Sequence, residues 1–447
     1  MNADAMNTVL IEPTDLLFFR DAIPMSAGQG KGAGCRLPFP STLHEAFRAS
    51  LLRANGETTG GKKEEGRPRN ADRTGNWHTQ GHDGKTFIAT KAFRSLRTIG
   101  PLPWRKDTGL LLPVPLDVAR KDKSIARLQL WRDSSISAQQ HPETPGGYAP
   151  PCLPVAVTPP DKKRQLHGWW TTEQMKHYLH GSTPPNGRGF TPTATETLWV
   201  AEHRVGVEID PGSFASKEGQ LYAGTYLRAD KHTRLAAWIE VADPDKARNG
   251  EADARRRERE QLDELDWLLL GGEFRLARLH KETVPFAELQ QPPDAPAGDG
   301  PCLLKWVLVT PAIFAHGSLP GWCWNGSDGR PSGEVRLGVS KRKADCESLP
   351  GRAQLISWCL GKPRTVSGWD VVEGRAKPTM LAVPEGSVYY FLCENRATAI
   401  GLAKKLHWQP RSDFYGEKGC GYGLVSFHVR MHASSIKIEE LAREVFQ

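Results

Sequence analysis

Apolar and polar positions near the start of the chain predict a strand, a glycine-rich loop and a helix. The stretch "TVLIEPTDLLFFRD" (8–21) is apolar and aromatic and is interrupted by Pro13, which predicts a strand, a bend and a second short strand. In "STLHEAFRASLLRA" (41–54) the apolar residues recur at helical spacing: Leu43, Ala46, Phe47 and Leu51. Thr42 and Glu45 are spaced as a capping box for this predicted helix.

The same patterning predicts an alternation of strands with few helices further along the chain. Strands are predicted in "TLWVAEHRVGVEID", "GQLYAGTYLRAD", "RLAAWIEV", "CLLKWVLVTPAIF", "AQLISWCLG", "VSGWDVV" and "GSVYYFLC". Helices are predicted in "TTEQMKHYLHG" and "NRATAIGLAKKL". Residues 245–272 predict a charged helix that becomes amphipathic at Leu262, Leu265 and Leu269 and ends at Gly271. The pattern is typical of an α+β protein.

Three stretches have no such periodicity. Residues 56–84 carry almost no apolar side chains, which predicts a mobile loop. Residues 100–160 are punctuated by prolines and predict little regular structure. The segment "QPPDAPAGDGP" (291–301) is the clearest linker and divides the chain into predicted units over 6–290 and 302–447.

Composition narrows the class of partner. The chain has 447 residues and a formal net charge of +8, which favours a polyanionic partner. Eight cysteines are scattered without a C-x-x-C pair, so the usual structural zinc spacings are absent and free thiols are expected. No apolar run approaches the ~18–20 residues that span a bilayer, and no secretory signal is evident. We therefore expect a cytoplasmic protein.

The sequence contains no catalytic constellation. The G-x-S-x-G, Walker A and H-E-x-x-H motifs are missing, and no cofactor is expected. His78 and His82 are four residues apart, but the surrounding glycines and polar residues favour a flexible loop over a metal site. His44, beside the glycine-rich loop, is a candidate general base for RNA cleavage, but its position favours a helix-surface histidine.

Four clusters pair glycines or aromatic residues with basic side chains, a combination typical of sites that hold RNA phosphates and bases. They are "RDAIPMSAGQGKGAGCR", "LGGEFRLAR", "GWDVVEGRAKP" and "FYGEKGCGYG". The residues expected to contact RNA are Arg20, Gly28, Lys31, Arg36, Gly271, Gly272, Arg275, Trp369, Lys377, Tyr415, Gly416, Lys418, Gly419, Gly421 and Tyr422. In the last cluster the glycines either face a phosphate backbone or form a tight turn into the strand that follows, and the tyrosines either stack on bases or pack in the core.

An ordered series of stretches resembles one family. The series runs through "IEPTDLLFFRDAIPMSAG", "LPFPSTLHEAFRASLL", "EHRVGVEIDPGSFASKEGQLYAGTYLR", "LLLGGEFRLARL", "VTPAIFAHGSLPG", "VSGWDVVEGRAKPTMLAVPEGSVYYF" and "GEKGCGYGLV". It is similar to the RAMP-type subunit that binds the crRNA 5′ handle in type III-B CRISPR effector complexes. Residues 56–84 and about 100–195 carry little of the resemblance and are interpreted as insertions.

The resemblance implies two ferredoxin-like β-α-β-β-α-β modules and a subunit without catalytic activity. It further implies that the chain holds the repeat-derived 5′ end of the guide, docks the large polymerase/cyclase-like subunit and adjoins the first backbone RAMP subunit. A RAMP-type endoribonuclease that processes precursor crRNA, with His44 as general base, is the second hypothesis. A scaffold that contacts only other protein subunits is the third.

Overall fold

The computed structural model describes residues 7–19, 31–32, 37–54, 93, 95–121, 124–132, 148–156, 166–184, 189–246, 252–284, 289–323, 331–337, 349–370 and 375–446. Up to the linker the elements are β1 (Asn7–Pro13), β2 (Lys31–Gly32), α1 (Pro40–Ala54), β3 (Arg97–Arg105), β4 (Gly109–Pro113), β5 (Val118–Lys121), β6 (Ser124–Arg127), β7 (Gln129–Trp131), β8 (Leu153–Val155), β9 (Trp169–Thr171), α2 (Thr172–Leu179), β10 (Trp199–Ile209), β11 (Ser216–Ala229), β12 (Thr233–Glu240), α3 (Ala252–Glu264), β13 (Trp267–Leu269) and β14 (Leu276–His280). After it come β15 (Cys302–Leu308), β16 (Ala353–Cys359), β17 (Arg364–Val366), β18 (Trp369–Asp370), β19 (Arg375–Ala376), β20 (Met380–Ala382), β21 (Val388–Cys393), α4 (Arg396–Leu406), β22 (Gly423–Ser426) and α5 (Ile438–Phe446).

The first half of the chain builds a seven-stranded sheet in the order β13-β14-β1-β12-β3-β4-β9. The strand β1 lies between β14 and β12 and is antiparallel to both. Its residues alternate between two cores because successive side chains point to opposite faces of a sheet. Val9 and Ile11 pack with Leu43 and Phe47 of α1 on one face, whereas Leu10 packs into a core on the other.

The second half builds a four-stranded antiparallel sheet in the order β16-β21-β15-β22, with α4 between β21 and β22 in sequence. The face of β15 that carries Leu304 and Trp306 packs with α4. The opposite face contributes Leu303 and Val307 to the same core as Leu10. The two sheets therefore share one core, with α1 and α4 on the outer sides.

The described parts of residues 97–184 are more regular than the sequence predicts. The expectation of little regular structure over 100–160 is wrong, because β3 pairs with β12 inside the first sheet and β4 continues that sheet. Beyond β4, Asp117 accepts hydrogen bonds from Lys305 Nζ (2.9 Å), Tyr178 Oη (2.5 Å) and Tyr390 Oη (3.1 Å) in the buried interior. Two features hid these strands in the sequence. Prolines interrupt the stretch, and β3 and β4 are buried on both faces, so apolar and polar residues do not alternate along them.

The remaining sequence-based elements are mostly confirmed. The helices α1, α2 and α4 and the strands β10, β11, β12, β15, β16 and β21 occupy the predicted stretches. Two predictions are wrong: α1 begins at Pro40, so Thr42 lies inside the helix and does not cap it, and α3 ends at Glu264 before β13 rather than at Gly271. The predicted mobile loop 56–84, which contains His78 and His82, lies outside the described residues.

Candidate nucleic-acid interface

The strands β10 and β11 form a long hairpin that leaves the first sheet. They pair from Trp199↔Ala229 out to Val207↔Leu221, and most of their residues are exposed. Near the body of the protein one face is buried through Trp199 and Leu227. Further out the same face continues as exposed apolar side chains, with Val205 66 % and Leu221 60 % accessible. The sequence pattern V-x-V-x-I at 205–209 was the available signal for this surface.

The root of the hairpin is held by a close backbone approach that requires glycine. The Gly272 N–H donates to Phe18 O at 2.8 Å. Gly271 has a φ of +86°, and a Cβ there would lie 2.5 Å from Phe18 O. Phe18 in turn stacks on Tyr226 of β11 with ring centroids 4.8 Å apart. The predicted glycines Gly271 and Gly272 thus fasten "LGGEFRLAR" to the hairpin.

Arginines and carboxylates cover the polar face of this root. The guanidiniums of Arg204 and Arg275 lie 5.6 Å and 5.3 Å from the Tyr226 ring centroid. Arg204 also pairs with Glu202 (2.7 Å), and Arg275 pairs with Glu273 (2.7 Å). Hydrogen bonds from Arg204 and Arg228 lower the pKa of Glu202. The predicted contact residue Arg275 is therefore at the root, but it is ion-paired in the free chain.

The described residues of the glycine-rich loop and of the segment that follows it contact both halves of the chain. Lys31 and Gly32 pair in parallel with Ala223 and Gly224 of β11, beside the hairpin root. Further along the chain, Leu37 O accepts a hydrogen bond from Arg364 Nη2 at 3.2 Å. Arg20, Gly28 and Arg36 lie outside the described residues.

Two further predicted clusters lie near the contact between Leu37 and Arg364. The Phe39 ring lies under the Arg364 guanidinium (5.7 Å) and belongs to an apolar cluster that includes half-buried Tyr415. The pairing of β17 with β20 leads directly into the short ribbon of β18 and β19, which carries Trp369 and is closed by a hydrogen bond from Lys377 N to Gly368 O (2.8 Å).

The glycine segment 416–423 does not form the exposed phosphate-facing loop that its composition favours. Lys418 is only 2 % accessible, and its ammonium pairs with Glu45 of α1 at 2.5 Å. Tyr422 is fully buried. The tight-turn and core-packing interpretations hold for these residues, because Lys418 and Tyr422 offer nothing to RNA in this conformation. Gly416 remains half-buried at the edge of the segment.

Gly419 and Gly421 are needed for conformation and for space. Their φ angles are +93° and +76°, in the left-handed region that favours glycine. A Cβ on Gly419 would lie 2.9 Å from Thr98 O, and one on Gly421 would lie 2.3 Å from Ser412 N. The segment therefore forms a closely packed contact between the two sheets.

His44 is also interior. It is fully buried, and its Nδ1 lies 3.2 Å from the Thr98 hydroxyl. Both the surface-histidine interpretation and an RNA-facing general base are at odds with this position.

Across the described residues there is no cluster of three or more metal-ligating side chains. Within the same residues, no helix is long and apolar enough to cross a membrane.

Comparison with known proteins places this arrangement in context. The family model of CRISPR-associated protein (Cas_Cmr3) matches residues 9–427. A chain in the cryo-EM structure of the Type III-B Cmr-beta bound to cognate target RNA is similar, with a TM-score of 0.41, 14 % identity and 86 % of each chain covered. A chain in the crystal structure of the Csm3-Csm4 subcomplex in the type III-A CRISPR-Cas interference complex has a TM-score of 0.36 and 10 % identity, covering 86 % of this chain and 92 % of that one. No curated protein matches in sequence.

Proposed function

Since the chain belongs to the Cas_Cmr3 family of CRISPR-associated proteins, we propose that it is a non-catalytic RNA-binding subunit of a type III-B effector complex. In this proposal it acts in the cytoplasm, holds the 5′ handle of the crRNA and docks the large polymerase/cyclase-like subunit beside the first backbone RAMP subunit. Target cleavage and signalling chemistry belong to those neighbours. No cofactor takes part.

The observation that carries the proposal is the placement of the described residues in and after the glycine-rich loop. Lys31 and Gly32 pair with the hairpin root, and Leu37 accepts a hydrogen bond from Arg364 in the second half of the chain. Predicted RNA-contacting clusters that are far apart in sequence therefore lie beside these residues. Glycine-rich loops let phosphates approach backbone amides, and single-stranded RNA is bound through backbone and splayed-base contacts.

The strand orders support two ferredoxin-like modules. In the first sheet β14, β1, β12 and β3 are adjacent in that order, with α1 after β1 and α3 after β12. In the second sheet β22, β15, β21 and β16 repeat the order, with α4 after β21. Both are the arrangement of a split β-α-β unit with its fourth strand beside the first. We assign β13, β4 and β9 as additions to the first module.

The exposed apolar face of the hairpin supports the docking of a protein subunit. Val205, Val207 and Leu221 are accessible on one face, and contiguous exposed apolar side chains mark interaction surfaces. The arginine-bearing face, with Arg204 and Arg275, is assigned to the guide because guanidinium groups pair with phosphates and stack on bases. In this assignment the apolar face of the hairpin contacts a protein subunit, and the arginine-bearing face contacts the guide RNA.

The test compares RNA binding with cleavage. The purified chain is incubated in chelator with a guide carrying its 5′ handle and with the same guide carrying a scrambled 5′ end. The proposal predicts tighter binding of the handle RNA and no cleavage of either strand. Equal binding would contradict handle recognition. Metal-independent cleavage that His44→Ala abolishes would favour the endoribonuclease, and no RNA binding with intact subunit assembly would favour the scaffold.

A further inference from the structure

A second cationic surface lies away from the hairpin, where the C-terminal segment passes β7. The Leu130 N–H donates to Arg430 O at 2.9 Å, which holds this segment in extended form. Val429 and Met431 pack against the shared core. His428 and Arg430, which alternate in sequence with these two residues, are both exposed.

Arg127 of β6 is held in place beside this segment. Its Nη2 donates to Ser182 O at 3.0 Å. Its guanidinium lies 5.4 Å from the Tyr178 ring centroid and 5.9 Å from that of Phe190. The two rings and the Ser182 carbonyl together fix the orientation of the guanidinium. The Arg127 side chain therefore loses little rotamer entropy when an anion binds.

His428 completes the cluster through the end of α2. Its ring packs so closely on Gly181 that a Cβ there would lie 1.5 Å from His428 Cδ2. His180, which precedes Gly181 in the chain, is exposed. Burial and the nearby charges of Arg127, Arg430, Lys305 and His180 lower the pKa of His428. We call Arg127, His180, His428 and Arg430 the four-cation patch, after the charge that the four side chains carry when both imidazoles are protonated.

The four-cation patch has no carboxylate partner among the described residues, in contrast to the paired arginines of the hairpin root. Asp117 is the carboxylate whose charge acts on Arg127 from among the described residues. Its carboxylate is already occupied by Lys305 and by the hydroxyls of Tyr178 and Tyr390. Arg127 and Arg430 repel one another, and their charges also disfavour protonation of His428. An anion bound among these side chains relieves that repulsion and favours the imidazolium form.

We propose that the four-cation patch binds backbone phosphate of the RNA strand, independently of base sequence. The inference rests on the proposed function for the identity of the polyanion. Guanidinium groups recognise phosphate with two parallel hydrogen bonds, and protonated imidazole adds further donors. An acidic protein segment is the weaker candidate, because protein interfaces bury an apolar centre. The exposed large apolar side chains of the described residues belong to other surfaces, such as the hairpin.

The test measures affinity against salt concentration for handle RNA and for scrambled RNA. Arg430→Gln should weaken binding of both RNAs equally, by about tenfold, since one charged hydrogen-bonded contact is lost. The log–log salt dependence should become shallower by about 0.7, the value for one single-strand phosphate. Arg443→Gln, an exposed arginine on α5, is the matched control and should behave like the parent. Melting temperatures of both variants establish that they are folded.

A second arm uses pH. Phosphate favours the imidazolium form of His428, so the parent should bind RNA more tightly as pH falls from about 7.5 to about 5.5. His428→Gln should remove part of that gain. The inference is overturned if Arg430→Gln and His428→Gln keep the parent's affinity, salt slope and pH profile. It is also overturned if Arg430→Gln weakens binding of polyglutamate but not of RNA. If these variants still bind handle RNA more tightly than scrambled RNA, the proposed function stands whatever the outcome for the patch. If the parent itself does not distinguish the two RNAs, the proposed function is contradicted.

Discussion

Lys418 and Glu45 form an ion pair that joins the glycine segment of the second half of the chain to α1 of the first. The Lys418 side chain is 3 % accessible and the Glu45 side chain 36 % accessible, and Lys418 Nζ lies 2.5 Å from Glu45 Oε1. Beside this pair Thr98 N donates to Glu417 O at 3.2 Å. The lysine that composition assigned to RNA therefore stabilises the contact between the two sheets.

Breaking this pair should destabilise the protein in a pH-dependent way. Burial by itself would raise the pKa of Glu45, but the charges of Lys418, His44 and Arg48 outweigh it and lower that pKa to about 2. A carboxyl with a depressed folded pKa contributes stability above its unfolded pKa, near 4.5, and loses it as pH falls towards 2. In urea unfolding, the parent should exceed Glu45→Gln at pH 6, and the difference should shrink as the pH approaches 2. A gap that is constant with pH would contradict the ion pair.

Alanine at Gly419 or Gly421 should lower thermal stability first. The left-handed conformation costs a Cβ-bearing residue about 1–2 kcal/mol, and contacts with Thr98 O or Ser412 N add to that. Variants that remain folded should bind handle RNA like the parent. Gly109→Ala is a useful control, because its φ is +74° but a Cβ there meets nothing within 4 Å, so strain without the clash should cost less. Lost RNA affinity at unchanged melting temperature would restore the phosphate-facing interpretation.

The buried pair of Asp117 and Lys305 should couple the 114–184 region to the second sheet. Both side chains are almost inaccessible, at 1 % and 2 %, and their charged atoms are 2.9 Å apart. Asp117→Asn leaves a buried ammonium without its counter-ion and should cost about 3–5 kcal/mol of unfolding free energy. Asp117→Asn combined with Lys305→Met should recover part of that loss, which chemical denaturation measures. Additive effects of the two changes would show that the pair is not coupled.

Glu202→Gln should strengthen RNA binding. Glu202 neutralises Arg204 and Arg228 at the hairpin root, with N–O distances of 2.7 Å and 2.8 Å. Removing its charge releases Arg204 for phosphate and leaves Arg228 with Asp15, 3.6 Å away, as its carboxylate partner. The salt dependence should therefore steepen by up to about 0.7 per additional contact. Glu334→Gln, which removes the partner of Arg336 elsewhere on the surface, is the control. Weaker binding in Glu202→Gln would contradict the assignment of this face to RNA.

Local patterns predicted much of the fold, and tertiary context decided the rest. The helical spacing around Leu43 and Phe47 predicted a buried helix face, and the alternation in 205–209 predicted a strand whose apolar side chains are exposed on the hairpin. The glycine motif at 416–423 was ambiguous, because a phosphate and a packed backbone make the same demand for a missing Cβ. Only the placement of Thr98 and Ser412 beside it distinguishes the two. Likewise, Arg127 and Arg430 are about 300 residues apart in sequence, and no local pattern brings them together.

The measurement that tests the central claim most directly is crosslinking of a guide RNA, photoreactive in its 5′ handle, to the full chain, followed by mapping of the modified peptides. We predict crosslinks in the glycine-rich loop, residues 20–36, and on the arginine-bearing face of β10 and β11 around Arg204 and Tyr226. The scrambled 5′ end should lose these crosslinks while keeping any at the four-cation patch. Handle crosslinks confined to other surfaces, with none in the loop or the hairpin root, would contradict the account.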